Sequence, residues 1–412
     1  MTNLFKIAVR NLIRYKRRTL LTASLITIGV VFVLVFVSIT GSFKAMMIGQ
    51  ITDSMLGHLQ IHRKGYVASI DNLPLNLNMN PKAYAKIAAD LATAPEVEAF
   101  SPRLKFGGMF SNFVETTNVR LNGIYPDREF QTVPLLVSRI SEGNKTLKRG
   151  EILIPMLLAK GLKVKPGDTV VIVATNADGS VNGKQFIVAG ILESATGPGG
   201  RDGYVHIEDA AEVLRMPEAE VSEVAVRLKD FSLLPATVKR LENKMSGELN
   251  QEGRPVFEVH SWEQLSPFFN IARMIDVMTF FIKIMLIAIV LISIMNVMIM
   301  AVYERIREIG TIAAIGTLPG RIRSMFIIEG FCLGVVGAVI GGLLGGAVIL
   351  IVNLVGIRFD FGQQQGLLLK AVLHLSDLLT ILVIVIVVAV AASLQPAIKA
   401  SGMEPIEALR HT

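Results

Sequence analysis

Four long stretches of the chain contain no Asp, Glu, Lys or Arg. These apolar runs are Thr19–Phe43, Ile284–Tyr303, Gly330–Ile357 and Leu378–Ile398. About 20 apolar residues in a helix cross the hydrocarbon core of a bilayer, and a helix also satisfies its own backbone hydrogen bonds there. The pattern therefore predicts four transmembrane helices.

The segment between the first two runs, residues 44–275, has a different pattern. It holds most of the 16 prolines, and short strand-like runs alternate with turn signals such as Lys165-Pro166-Gly167-Asp168. Helical periodicity occurs at 81–94 and at 233–249. We therefore predict a membrane α-helical protein with a large extracytoplasmic α+β domain between helices 1 and 2. This domain is long enough for one core or two subdomains.

Charge is sparse and concentrated beside the apolar runs. Only 18% of the residues are charged, whereas soluble domains usually have about 25%. Six basic residues and no acid precede the first run: Lys6, Arg10, Arg14, Lys16, Arg17 and Arg18. A nucleic-acid-binding protein would spread its positive charge over a folded surface, so no nucleic-acid partner is expected. The single cysteine excludes an internal disulfide framework.

The position of the basic residues predicts the orientation. Lys and Arg accumulate on the cytoplasmic side, which places both termini in the cytoplasm and residues 44–275 outside. A cleaved signal peptide is the alternative for the first run, but the run exceeds the about 7–15 apolar residues of a signal core. We therefore expect an uncleaved helix in the cell inner membrane.

The predicted segments follow from the runs and this orientation. They are a cytoplasmic interfacial helix (1–18), transmembrane helix 1 (19–43), the extracytoplasmic domain (44–275), transmembrane helix 2 (276–303), a cytoplasmic helix and turn (304–323), transmembrane helix 3 (324–357), a short outer loop (358–377), transmembrane helix 4 (378–398) and a cytoplasmic tail (399–412). The alternative for 1–18 is a merely basic topogenic tail.

No catalytic or metal-ligating pattern has the partners that it would need. His58 and His62 lie four apart in a strand-like run without a third ligand. Cys332 imitates a nucleophile elbow, but it lies in a membrane run with no base nearby. All three residues are predicted to be structural. We expect no enzymatic activity, metal or cofactor in this chain itself.

Two patterns near the membrane suggest contacts. Residues 304–316 continue the helical pattern of the second run and carry Glu304 and Arg307 at a spacing that permits pairing. They predict either a helix that docks on a soluble partner or a solvated helix end. In the third run Gly337, Gly341 and Gly345 share one helix face. This repeat predicts close helix packing, with a hinge as the alternative.

Several motifs together resemble the FtsX/MacB family of ABC-transporter permeases. They are Ala8–Arg14 near the start, Glu304-Arg305-Ile306-Arg307-Glu308-Ile309-Gly310, Ile315-Gly316, Gln395–Ala400 and Glu404–Arg410. Thr317–Gly320 departs from the family pattern in the turn. Gly57–His62 and Ser101–Leu104 are similar to the LolC/LolE lipoprotein-releasing branch.

The resemblance implies an assembly of two permeases, identical or related, with two cytoplasmic ATPase subunits. The sequence has no Walker A motif, so ATP and Mg would be bound by the separate ATPase. Residues 44–275 would be a MacB-like periplasmic core domain, moved by the ATPase through mechanotransmission. The residues that would couple to the ATPase are Glu304, Arg305, Arg307, Glu308, Ile309, Gly310, Ala314 and Gly316.

The resemblance also implies a substrate, namely lipoproteins or lipid-like molecules taken from the inner membrane and passed to a periplasmic carrier. Membrane lipids would be further partners. The residues expected to line the cavity are Val35, Ile39, Phe43, Met274, Met278 and Phe281. One alternative is a MacB-like exporter of peptides or small molecules, with an adaptor and an outer-membrane channel. Another is an FtsX-like signalling component that transports nothing, which the size of the outer domain disfavours.

Overall fold

A computed structural model describes residues 2–194, 201–249, 253–361 and 364–404. Residues 405–412 of the predicted tail, with most of the Glu404–Arg410 motif, lie outside the described residues. The chain divides into two compact units. We call residues 1–45, 273–358 and 368–412 the helical unit, and residues 46–272 and 359–367 the sheet unit.

Helices account for most of the helical unit and flank the strands of the sheet unit. The α-helices are α1 (Thr2–Arg14), α2 (Lys16–Ile51), α3 (Pro81–Ala92), α4 (Pro126–Thr132), α5 (Leu135–Ser138), α6 (Met156–Leu162), α7 (Ile207–Val213), α8 (Leu234–Met245), α9 (Trp262–Leu265), α10 (Phe268–Glu304), α11 (Ile306–Ala314), α12 (Pro319–Val355) and α13 (Leu375–Ser401). A π-helical turn at Thr52–Leu56 follows α2, and short 3-10 helices occur at Val67–Asn72, Leu75–Leu77 and Phe231–Leu233.

Twelve strands are present in the described residues. They are β1 (Leu59–Arg63), β2 (Val97–Ser111), β3 (Thr116–Ile124), β4 (Ile140–Gly143), β5 (Glu151–Pro155), β6 (Thr169–Thr175), β7 (Val181–Leu192), β8 (Gly203–His206), β9 (Glu223–Leu228), β10 (Phe257–Ser261), β11 (Arg358–Phe361) and β12 (Gln364–Leu368).

Four helices are long and apolar enough to cross a membrane, and they contain the four apolar runs except for the last two residues of the third, which follow Val355. The predicted fold class, with an α+β domain between the first and second of them, is confirmed. The helix ends differ from the predicted segments. Helix α2 continues to Ile51 and α10 begins at Phe268, so the predicted boundaries at 44 and 275 fall inside helices. The apolar runs predict only the part of a helix that could contact lipid. Helix α2 continues past its run, and Met47 and Ile51 are buried in the core of the sheet unit.

The first and third membrane helices also begin earlier than predicted. Helix α1 ends at Arg14 and α2 starts at Lys16, so the predicted interfacial segment 1–18 is a shorter helix followed by the first turn of α2. Helix α12 begins at Pro319, ahead of the predicted residue 324. Proline is favoured in the first helical turn because its missing N–H would have no partner there anyway.

The sheet unit is built on one mixed ten-stranded sheet. Its order is β10-β1-β9-β2-β3-β8-β5-β7-β4, and β6 pairs with both β2 and β7. The pairs β3–β8 and β5–β7 are parallel, and the other pairs are antiparallel. One hydrophobic core contains Trp262 and residues of β1, β9 and α8, and a second contains Phe106, Phe186 and residues of α7. The prediction left open whether this domain has one core or two subdomains. The hydrophobic cores are separate, as in two subdomains, but a single continuous sheet joins them.

Buried charges cross the middle of this sheet. We call His62, Arg103, Lys105, Glu129 and Glu223 the Glu223 cluster. The Arg103 guanidinium lies 2.6 Å from the Glu129 carboxylate and 2.8 Å from that of Glu223. Lys105 Nζ is 3.0 Å and His62 Nε2 is 3.6 Å from Glu223. Burial raises the pKa of Glu223, but Lys105, His62 and Arg103 together outweigh it and hold that pKa well below its ordinary value.

Candidate functional site

The candidate site begins where α10 ends. Helix α10 stops at Glu304, and Arg305 has non-helical backbone angles, φ −111° and ψ 16°. The Arg305 carbonyl then accepts a hydrogen bond from the Ile309 N–H at 2.9 Å, which starts α11. Arg305 is therefore the residue at which the chain changes direction between the two helices.

The side chain of Arg305 is buried at this break. Its guanidinium donates to Glu329 on α12 at 2.9 Å and to Glu308 on α11 at 3.2 Å. The Asn11 amide on α1 donates to the same Glu329 oxygen at 2.8 Å. The guanidinium also lies over the ring of Tyr15, 5.8 Å from its centroid. We call Asn11, Tyr15, Arg305, Glu308 and Glu329 the Arg305 cluster.

The Arg305 cluster joins three helices through charge-assisted hydrogen bonds. The Arg305 and Glu329 side chains are 3% and 0% exposed. A charge withdrawn from water in this way is tolerated only with a close partner, because removing one member leaves the other uncompensated. Asn11, Arg305 and Glu329 therefore depend on one another for their hydrogen bonds.

The residues predicted to couple to an ATPase divide into two groups. Arg305, Ile309 and Gly310 are buried, and Ile309 belongs to the hydrophobic core of the helical unit. These three residues pack within the helical unit, and their role in coupling to an ATPase stays a prediction. The helical periodicity identifies an amphipathic helix but not which neighbour covers its apolar face. The remaining predicted residues have accessible side chains or backbone: Glu304, Arg307, Glu308, Ala314 and Gly316.

Two exposed apolar residues lie next to the accessible residues of α11 and the turn that follows it. Ile315 is 80% exposed and Leu318 is 65% exposed. Gly316, between them, has φ +92°, a conformation that glycine adopts without strain. Neither Ile315 nor Leu318 was predicted as a coupling residue, although both follow the short helix directly. We call Arg307, Ala314, Ile315 and Leu318 the α11 tip.

Sequence reasoning also missed Glu329. This acid directly precedes the third apolar run, which by definition contains no acid, so the search for acids within the runs does not find it. The sequence does contain a signal for this residue, since Glu329 is a lone carboxylate between Phe326 and Gly330. An acid next to a membrane helix requires a partner, so its position indicates an ion pair or a hydrogen bond.

The three predicted packing glycines of α12 lie against α2. A Cβ atom on Gly337 would stand 2.6 Å from Ile26, one on Gly341 2.7 Å from Val30, and one on Gly345 3.0 Å from Leu34. The repeat of four on α12 thus meets a repeat of four on α2. On another face of α12, Gly330 and Gly334 lie equally close to α13. Small residues allow both helices to approach closely.

The six predicted cavity residues do not form an enclosed site within this chain. Val35, Ile39 and Phe43 are half-buried on α2. The other three lie on α10 and are more than half exposed: Met274, Met278 and Phe281. Nearby, Lys44 and Asp276 form an ion pair at 2.6 Å between the same two helices. The exposed apolar stripe on α10 leaves this group open on one side.

The histidines and the cysteine have structural surroundings. His58 accepts a hydrogen bond from the Leu228 N–H at 3.0 Å, His62 belongs to the Glu223 cluster, and Cys332 packs in the helical unit. In the part of the chain that the structure describes, no three His, Cys, Asp or Glu side chains are grouped so as to hold a metal ion.

Comparison with known protein families shows which family has this arrangement of domains. The model of the MacB-like periplasmic core domain matches residues 19–244, and that of the FtsX-like permease C-terminal domain matches residues 280–405. The chain belongs to the FtsX/MacB family of permeases. It is an ABC permease subunit, a multi-pass protein of the inner membrane with a large periplasmic domain.

Individual relatives agree with this family. The permease is 24% identical to the lipoprotein-releasing system transmembrane protein LolC of Neisseria meningitidis serogroup B, over 95% of this chain and 94% of the relative. It is 23% identical to LolE of Haemophilus influenzae, over 76% of this chain and 78% of the relative. It is 26% identical to a probable export ATP-binding/permease protein MacB of Pseudomonas entomophila, over 47% of this chain and 27% of the relative.

Proposed function

We propose that this permease subunit belongs to a lipoprotein-releasing ABC transporter, in which a separate ATPase docks on the α11 tip. The transporter extracts lipoproteins, or similar lipid-anchored molecules, from the inner membrane toward the periplasm. The observation that carries the substrate class is the likeness to LolC over 95% of this chain and 94% of the relative. The likeness to MacB reaches only 27% of that relative.

The shape of the α11 tip supports docking of a soluble protein. An amphipathic helix enters a partner's groove with exposed apolar side chains, and charged residues at its rim set the orientation. Ile315 and Leu318 supply the apolar part, while Arg307, Arg321 and Arg323 surround it with positive charge. ATP and Mg would be bound by the ATPase, and this chain would receive the movement.

The Arg305 cluster supports a mechanical route from the α11 tip into the membrane. Displacing α11 strains the hydrogen bonds of Arg305 to Glu308 and Glu329, and through Glu329 that of Asn11. Helix α10 is continuous from Phe268 to Glu304, so movement at its end is carried along its axis. This is the mechanotransmission that we propose for the permease, working beside a second permease.

The test is purification of the full chain from its native membranes in mild detergent, with mass spectrometry of every molecule that accompanies it. A cytoplasmic ATPase, a second permease of the same family and acylated lipoproteins are expected. The double variant Ile315→Asp/Leu318→Asp should lose the ATPase. Val114→Asp is the matched control, because Val114 is 88% exposed in the sheet unit and should leave the complex intact.

The outcomes of this purification separate the proposals. Recovery of the ATPase with a periplasmic adaptor and an outer-membrane channel, without lipoproteins, would replace lipoprotein release by export of a MacB-like kind. Export of a MacB-like kind is the second candidate function because residues 19–244 match the MacB-like periplasmic core domain. A stoichiometric ATPase on the Ile315→Asp/Leu318→Asp variant would contradict docking at the α11 tip.

A further inference from the structure

A large groove opens in the helical unit between α1, α2 and α12. Its volume is about 690 Å³, within the roughly 300–1,000 Å³ of small-molecule sites. Helix α1 contributes Phe5, Val9 and Ile13, α2 contributes Lys16 and Leu20, and α12 contributes Val336 opposite them. The groove is distinct from the Arg305 cluster, which lies on the face of α1 that carries Asn11.

The walls of the groove are hydrocarbon. Apart from Lys16, the polar side chain that lines it is that of Thr19, whose hydroxyl already donates to the Leu12 carbonyl at 2.8 Å. Water is held in a cavity by two or more polar partners, and apart from Lys16 these walls offer only the Thr19 hydroxyl and the weakly polar Cys332 thiol. An occupant must therefore be apolar along most of its length, as a lipid acyl chain is.

The groove is held open by contacts on the other side of α1. Ala8 is buried, and the amide of Asn11 is bonded to Glu329 on α12. These contacts attach α1 to α12 along one face. Phe5 and Ile13, on the opposite side, remain half or more exposed. The apolar side chains on this side of α1 are thus left for another apolar molecule to cover.

Positive charge stands at the rim of the groove. Lys16 is exposed, and none of the ion pairs among the described residues includes it. Two carboxylates of the helical unit are used elsewhere, since Glu308 pairs with Arg14 and Arg305 and Glu329 pairs with Arg305. An ammonium group above an apolar groove complements an anionic phosphate above an acyl chain.

We propose that this groove binds one anionic phospholipid of the leaflet that faces Lys16. One acyl chain lies between α1 and α12, and the phosphate pairs with Lys16. Lys16 begins α2, whereas the predicted cavity residues Val35, Ile39 and Phe43 lie toward its other end. The bound lipid is thus separate from the transported substrate, and it stabilises the position of α1.

Native mass spectrometry of the purified, delipidated full chain tests this proposal directly. The chain is titrated with phosphatidylglycerol or with phosphatidylcholine of the same acyl composition. We expect one tightly bound phosphatidylglycerol and weaker binding of phosphatidylcholine. Lys16→Gln should weaken the binding of phosphatidylglycerol about fivefold, because one ammonium contact is lost. Arg17→Gln, at an adjacent exposed position outside the groove, should change it less than about twofold.

A second pair of variants tests the apolar part. Val336→Trp fills the groove and should abolish the tight site, whereas Val339→Trp, equally exposed on the same helix but outside the groove, should retain it. The elution volume on size exclusion verifies that both variants fold. Equal binding of both lipids, or unchanged phosphatidylglycerol binding by Lys16→Gln and Val336→Trp, would overturn the proposal. The assay contains no ATPase or lipoprotein, so its result is independent of the proposed transport function.

Discussion

The two units of the permease bury ionised side chains in contrasting settings. In the sheet unit, Arg103 lies between Glu129 and Glu223, and all three side chains are at most 3% exposed. Arg103 and Glu223 are direct neighbours across the β2–β9 ladder. In the helical unit, Arg305 also binds two carboxylates, but Glu308 is 40% exposed and the three helices involved share no strand ladder.

The difference separates charges on paired strands from charges that themselves link helices. Strand pairing holds Arg103 and Glu223 in register, because β2 and β9 form backbone hydrogen bonds. In the Arg305 cluster the side chains themselves form the polar link between α1, α11 and α12. We infer that the first cluster fixes the sheet, and under the proposed function the second would carry movement of α11.

Two residues that occur once in the sequence report on the two units separately. Trp262 is buried in the core of the sheet unit, so its fluorescence follows unfolding of that unit. Cys332 is buried in the helical unit beside the groove between α1, α2 and α12, so the rate at which a membrane-permeant maleimide labels it follows how tightly these helices pack around it. Both probes are present in the natural chain.

The largest effect is expected from Glu223→Gln. Loss of this carboxylate removes the partner of Lys105 and leaves Arg103 with Glu129 alone, so the free energy of unfolding should fall by about 3–5 kcal/mol. Urea unfolding followed by Trp262 fluorescence measures it. Asp90→Asn is the control, because Asp90 pairs with Lys244 at the surface and should cost less than about 1 kcal/mol. Equal losses in the two variants would contradict the role of the Glu223 cluster.

Acid should weaken the sheet unit by the same mechanism. Because the pKa of Glu223 is lower in the folded state than its ordinary value of 4.5, the stabilisation from its ionised form is complete above that value. It is lost as the pH falls toward the folded-state pKa. The free energy of unfolding reported by Trp262 should therefore decrease below pH 4.5, and Glu223→Gln should show a shallower decrease. Parallel pH profiles would count against this assignment.

In the helical unit, Glu329→Gln removes the charge that Arg305 and Asn11 share. We expect a loss of about 3 kcal/mol in local stability, because a buried guanidinium loses one of two carboxylates. Labelling of Cys332 should accelerate by roughly a hundredfold at most, while Trp262 unfolding stays unchanged. Glu404→Gln, at an exposed position of the same unit, is the control. An unchanged labelling rate would show that the Arg305 cluster does not hold these helices.

A smaller effect is expected from Gly341→Ala. The new Cβ would stand 2.7 Å from Val30 Cβ and 3.1 Å from the Thr27 carbonyl oxygen, so α2 and α12 must separate. Such overpacking costs about 1–3 kcal/mol, and the Cys332 labelling rate measures it. A Cβ on Gly346 meets nothing within 4 Å, so Gly346→Ala should be neutral. Equal behaviour of the two alanine variants would refute close packing at Gly341.

The smallest effect on stability is expected at the α11 tip. Ile315→Asp should change neither probe by more than about 0.5 kcal/mol, because the side chain is already exposed. Ile309→Asp, one to two turns earlier, should accelerate Cys332 labelling strongly, since it places a charge in the core. Similar labelling rates for the two aspartate variants would mean that α11 does not present the faces described here.

The membrane part of the fold could be predicted from the sequence because lipid imposes a simple rule. Charge-free runs of sufficient length occur at four places, and each coincides with a long helix apart from two residues at the end of the third run. The helix ends were less predictable. Residues such as Met47 continue α2 into the sheet unit, where packing against protein replaces contact with lipid.

The candidate site was located only in part. The motif at 304–316 predicts a coupling segment, but pattern alone does not state which of its faces is covered. Ile309, a predicted coupling residue, is buried. Ile315 belongs to the Ile315-Gly316 motif but not to the predicted coupling residues, and it is exposed. The pairing of Arg305 with Glu329 joins residues on two helices, and neither periodicity nor local spacing reports such a contact.

A photocrosslinking amino acid at Ile315 tests the central claim most directly. It is introduced into the full chain in its native cells, and the crosslinked product is identified by mass spectrometry. We predict a product with a cytoplasmic ATPase that carries a Walker A motif. The same amino acid at Leu343, which is exposed within α12, should not yield that product. Absence of the ATPase from the Ile315 product, with the transporter otherwise intact, would contradict the account.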